Sequence, residues 1–172
     1  MRRSLLFLTI LLLALFGCRH SRHETPSVPG TTPDEEYLMG INRDIVRHEA
    51  TDIRLLANRY GWEMQTTPSG LYYEIVREGN GRLFRQGDKV RMRCDITLLD
   101  GSKVFSSAQD GIKELVIGRS DEPAGLQEAL QLLRPGSAAH LIVPSHLAYG
   151  SIGDGGRIPG FATLVYSIEI IE

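Results

Sequence analysis

Residues 161–172 alternate in hydropathy, with Ala162, Leu164, Tyr166, Ile168 and Ile170 on one side. A period of two marks a strand with one buried face, so the chain must build a core against that face. Just upstream, residues 151–160 form a glycine-rich loop with a single Ile-Pro pair, and residues 146–150 end in Tyr-Gly. The loop glycines permit backbone angles that other residues avoid. Pro159 holds Ile158 extended. A loop of this kind can converge Tyr149, Ile158 and Tyr166 on one apolar pocket whose only polar tips are two phenols.

The rest of the chain supplies partners for that strand. Residues 88–99 alternate cleanly, Val90, Met92, Cys94, Ile96 and Leu98 against Lys89, Arg91, Arg93, Asp95 and Thr97. Arg91 and Arg93 read as a solvated strand face. Residues 71–76, 112–117 and 138–143 are further strands. Gly79-Asn80-Gly81 and Asp100-Gly101 make turns. Residues 125–133 form a short helix with Leu126, Leu130 and Leu133 on one face. The class is α+β: an antiparallel half-barrel wrapped on one short helix, occupying residues 70–172.

The N-terminal third is organised differently. Arg2 and Arg3 precede an apolar run, residues 5–16, of signal-peptide length and too short for a comfortable span. The run ends Leu15-Phe16-Gly17-Cys18, which resembles the bacterial lipobox. That resemblance implies that residues 1–17 are removed and that Cys18 is acylated, an anchor of several chains that holds stably to a membrane. Arg19 after the cysteine mildly favours the outer membrane. Residues 18–33, with Pro26, Pro29 and Pro33, read as a flexible tether. His20 and His23 in such a linker make a poor metal site.

Thr32-Pro33-Asp34-Glu35 looks like a helix start. Leu38, Ile41, Ile45, Ile53, Leu56, Ala57 and Tyr60 then recur at helical spacing, Gly61 supplies a stop, and residues 34–64 form a helical segment. A break near residues 48–51 is expected. Two readings stay open for the apolar stripe: a surface for a homodimer or docking partner, or a face packed on the chain's own domain.

Charge excludes one class of partner. The whole chain carries −2, and losing Arg2 and Arg3 with the leader leaves 17 basic against 21 acidic residues, a net −4. Nothing there suits nucleic acid. Of the two cysteines, Cys18 ends the leader and Cys94 reads as a core residue, so no disulfide is expected.

Ala-Tyr-Gly, a glycine-rich loop, Ile-Pro, then Ala-Thr-Leu-Val-aromatic-x-Ile-Glu resembles the C-terminal signature of the FK506-binding (FKBP-type) peptidyl-prolyl isomerases. Asp100-Gly101 with Val104-Phe105-Ser106-Ser107 resembles the family's hairpin, and residues 126–136 its single helix. The resemblance runs from about Gly70 to Glu172. It implies prolyl cis–trans isomerisation on proline-containing polypeptides, with no nucleophile, metal or cofactor. Tyr149 is the candidate catalytic donor. Phe105, Leu126, Ile158, Tyr166 and Cys94 are the candidate pocket walls.

The sequence departs from the family at several of these positions. Cys94 stands where a Tyr is usual, Leu126 where a Trp floors the pocket, Glu122-Pro123 where Val-Ile precedes that floor, and Ser106 or Phe105 where an Asp is usual. A pocket so altered implies a weak isomerase, and the leader with Cys18 implies a cell-envelope protein, lipid-anchored and facing the periplasm. The alternative is a non-catalytic binding or chaperone module, or a subunit of an envelope complex. Other chemistries lack their motifs. Gly153-Asp-Gly155-Gly156 is no phosphate loop, no Gly-x-Ser-x-Gly elbow occurs, and His140 and His146 have no paired carboxylates or cysteines beside them.

Overall fold

A computed structural model of the chain describes residues 33–171. The leader, Cys18 and the tether lie outside them. The described residues fall into two units, 33–42 and 43–171. Of the first, the structure describes residues 33–42 as helix. The second carries every strand described.

Helix α1 (Pro33–Tyr60) continues through residues 48–51 without the expected break. Thr51 bonds back to the Arg47 carbonyl at 2.9 Å, which keeps its hydroxyl inside the helical pattern. Two residues of strand, β1 (Gln65–Thr66), lead into β2 (Tyr72–Arg77), β3 (Lys89–Leu98) and β4 (Lys103–Ser106). One helical turn, α2 (Ser107–Asp110), precedes β5 (Lys113–Val116), α3 (Ala124–Leu130), β6 (Ala138–Val143) and β7 (Leu164–Ile170). The strands form one antiparallel sheet in the order β1-β2-β6-β7-β3-β4, with β5 paired to β3. The two strands with the clearest alternation are therefore neighbours, Cys94 opposite Ile168 and Ile96 opposite Tyr166.

Their shared inward face makes the main core. Val90, Met92, Cys94, Ile96, Leu164, Tyr166, Ile168 and Ile170 pack with Leu126, Leu130 and Leu133. Helix α3 lies close on β6, because Gly125 leaves room that a Cβ would fill, 2.6 Å from Val143 Cγ1. The helix is shorter than residues 125–133. Its last turn tightens into i→i−3 bonds, Leu132 to Ala129 and Leu133 to Leu130, ahead of Pro135. Leu133 stays buried all the same.

The outer face of the sheet is not simply solvated. Ile142 and Val165 are buried there with Ile53, Leu56 and Ala57 of α1, flanked by Trp62, Met64, Tyr72 and Leu99. The reading of the last strand as buried on one face alone is corrected at Val165, because α1 covers it. Fully burying side chains such as Ile53 and Leu56 is worth about 1.5–3 kcal/mol each. Tyr60, expected in the same stripe, is 56% exposed. It stacks on Trp62 at 4.8 Å, and Trp62 stacks on His140 of β6 at 4.2 Å.

Candidate active site

The segment between β6 and β7 is built before it is lined. A single 3-10 turn, Ser145–Leu147, follows β6 and sets Tyr149 at its exit. Gly153 then turns the chain back at φ 78°, where its missing side chain lets the Ile158 carbonyl approach; a Cβ there would stand 2.2 Å from that oxygen. Asp154 locks the far side. Its carboxylate accepts the Gly156 and Ile158 N–H groups, each at 2.8 Å, and its own N–H donates to the Ile158 carbonyl at 3.1 Å. Those backbone donors, Ile158 first, hold the Asp154 carboxyl below the usual carboxylate range. Phe161, at φ 58°, donates its N–H to the Gly150 carbonyl at 2.8 Å, which closes the loop. That closure delays the strand to Leu164, three residues later than the alternation predicts. Arg157 donates to the Val104 carbonyl at 3.0 Å and ties the loop to β4.

This architecture brings all six sequence-predicted residues together. Cys94 from β3, Leu126 from α3, Ile158 from the loop and Tyr166 from β7 are buried in one cluster. Phe105 from β4 and Tyr149 are half-buried against it. Neither phenol has a hydrogen-bond partner among the described residues. Tyr149 therefore keeps a free donor beside apolar walls. Burial, then the Glu122 and Asp154 carboxylates, push its phenol above its ordinary value. Burial pushes Tyr166 well above its own, with Glu122, Tyr149 and Cys94 adding to the shift. Cys94 is a free thiol raised to about 11, chiefly by burial.

Glu122 acts on all three of these groups, and it is paired. Lys113 Nζ stands 2.7 Å from Glu122 Oε1, and 5.0 Å from the centroid of the Phe105 ring. The expectation of a plain apolar cup misses this ion pair. Its signal lies in residues 112–117, because Lys113 shares its alternation phase with Leu115 and Ile117, both buried. Ser106, at one candidate position for the family's Asp, donates its hydroxyl to Asp95, and its N–H goes to Asp110. Ser107 Oγ accepts the Cys94 N–H at 2.8 Å. A groove of about 530 Å³ lies among the outward residues Arg93, Asp95, His140, Ser167 and Glu169, with Cys94 and Ser107 also lining it.

The sequence model of the FKBP-type peptidyl-prolyl cis-trans isomerase family matches residues 81–171. The chain is similar to the FKBP-type 22 kDa peptidyl-prolyl cis-trans isomerase of Escherichia coli, 35% identical over 118 residues, covering 63% of this chain and 52% of that protein. It is 37% identical over 121 residues to the outer membrane protein MIP of Legionella longbeachae, covering 70% of this chain and 52% of the other. The chain thus spans about half the length of these relatives. In fold it is similar to FkpA from Escherichia coli, at a TM-score of 0.64 and 22% identity, covering 99% of this chain and 81% of that one.

Proposed function

The chain belongs to the FKBP-type peptidyl-prolyl cis-trans isomerase family, and we propose that it catalyses prolyl isomerisation on polypeptides in a bacterial cell envelope. The observation that carries this reading is the convergence of Tyr149, Ile158, Tyr166, Phe105, Leu126 and Cys94 on one cluster. The barrier to be lowered, about 18–20 kcal/mol, is amide resonance. A dry cup that fits the twisted amide better than the planar one lowers it without covalent chemistry. Ile158, Tyr166, Leu126 and Phe105 are the walls for the proline ring. Tyr149 is the donor that meets the carbonyl oxygen as the amide twists. Low activity is part of the proposal, because Lys113 and Glu122 put a charged pair against walls that otherwise favour an apolar ring. The same pair favours the second reading, a binding module without catalysis. Isomerisation of a prolyl peptide by the full chain in detergent tests both. A rate indistinguishable from the uncatalysed reaction sinks the enzyme reading.

Attachment through an acylated Cys18 belongs to the same proposal and rests on the leader and its terminal cysteine. Pairing of two copies through the N-terminal helix is supported by Val46 and Leu55, exposed at 54% and 59%. The stripe residues Ile53, Leu56 and Ala57 are already used within the chain. Sedimentation of residues 19–172 at micromolar concentration decides it, and a monomer there ends the dimer reading.

A further inference from the structure

Glu49 stands in phase with the buried stripe of α1, four before Ile53 and seven before Leu56. It does not face solvent. Its half-buried carboxylate reaches two points that are 18 residues apart in sequence. Oε1 accepts the Ser145 N–H and the Thr163 hydroxyl, both at 2.6 Å, and Oε2 accepts the Ser145 hydroxyl at 3.2 Å. Ser145 and Thr163 are themselves buried. They are also the two stems of the segment that carries Tyr149 and Ile158: Ser145 begins the turn after β6, and Thr163 immediately precedes β7. Three charge-assisted bonds to buried groups are strong ones.

The geometry points to Glu49 as a positioning residue: the N-terminal helix supplies the carboxylate that closes the base of the site loop. Its hydrogen bonds go to Ser145 and Thr163 and to no candidate wall, so it acts through those two stems. Remove it, and the stems lose their common acceptor while the bonds within the loop remain. The loop then opens more often, and Tyr149 and Ile158 are held together for less of the time. Helix α1 is on this view a component of the site, beyond its packing on Ile142 and Val165. The inference draws on the isomerase reading only where catalysis is measured.

Amide hydrogen exchange on the full chain in detergent tests the clamp without reference to activity. In Glu49→Ala, the cross-loop amides of Gly153, Asp154 and Phe161 should exchange about tenfold faster or more, with the β3–β7 ladder unchanged. Thr163→Val should give part of that effect and add little on top of Glu49→Ala. Asp52→Ala, an exposed acid on the same helix, should leave exchange as it is. On a prolyl peptide, kcat/KM of Glu49→Ala should fall about tenfold, with partial recovery in Glu49→Gln, which keeps one acceptor. Loop exchange equal to wild type, or rising only in step with the whole sheet, overturns the inference. If Glu49→Ala does not fold, Glu49→Gln and Thr163→Val decide by the same exchange pattern. A wild-type protein without isomerase activity sinks the catalytic reading and leaves exchange to judge the clamp.

Discussion

Lys113 and Glu122 form a 2.7 Å ion pair with only 19% and 20% of their side chains exposed, against the ring of Phe105. Two charges so placed give up most of their hydration and depend on each other. Lys113→Met alone leaves the carboxylate without its partner and should cost about 2–3 kcal/mol, less than for a fully enclosed pair. Lys113→Met with Glu122→Val removes both charges and should recover most of that loss. Urea denaturation of the three proteins reads the coupling. A double variant as unstable as the sum of the singles would mean that the pair is not a unit.

Legibility in the sequence varies from element to element. The strands are legible because period two is a local signal, and residues 88–99 and 161–172 display it on faces that do meet. Cys94 and Tyr166 are identifiable as wall candidates for the same reason, Leu126 by the apolar face of its helix, and Ile158 only by the Ile-Pro pair of its loop. What escapes is long-range. Val165 reads as an outward residue until α1 is laid over it, and nothing within β7 encodes that. Glu49 and Lys113 are visible only as charges standing in an apolar phase. A phase violation marks an unusual residue without naming its partner, here 96 residues away for Ser145 and nine for Glu122. The loop closure through Phe161 depends on a positive φ in a residue that rarely adopts one, so alternation alone starts the strand too early.

Burial of Cys94 has a consequence at alkaline pH. The thiol rises from its ordinary value near 9 to about 11, because burial disfavours the thiolate more than the Ser107 bond and the Lys113 charge favour it. Between those values the unfolded chain has lost the proton and the folded chain keeps it. Stability contributed by the buried thiol is therefore complete below about pH 9 and is lost as pH climbs toward 11. Urea midpoints from pH 8 to pH 11 should fall more steeply for the wild type than for Cys94→Ala. Parallel curves would show that the thiol ionises alike in both states.

The leader makes a chemical prediction. An apolar run closed by Cys18 should give a mature protein that begins at that cysteine and carries acyl chains. Intact-mass measurement on the membrane fraction should show the lipid mass, and Cys18→Ser should accumulate as unprocessed, unlipidated precursor. A mature N-terminus elsewhere, without lipid, would refute the anchor.

Tyr149 and Leu126 separate catalysis from mere shape. Tyr149→Phe keeps the ring that packs on the cluster and removes the free hydroxyl. It should leave the unfolding free energy from urea denaturation within about 0.5 kcal/mol of wild type. Its kcat/KM should fall about tenfold, below the loss from a donor to a full oxyanion, because a twisting amide develops less charge on its oxygen. Leu126→Trp acts on the floor. Leu126 is fully buried next to Gly125, which already lies close to β6. The larger ring must push its neighbours aside, at a cost of about 1–3 kcal/mol in stability. If the cup is a worn catalytic site, that ring offers the proline a wider apolar floor, and kcat/KM should rise even as the protein becomes less stable. Opposite movement of rate and stability is the signature, since a purely structural substitution lowers both. Prolyl-peptide isomerisation measured well below the unfolding midpoint, beside urea denaturation of the same preparation, reads the two together. A rate that stays at the uncatalysed level in wild type, Tyr149→Phe and Leu126→Trp alike would assign the cluster to binding instead of catalysis.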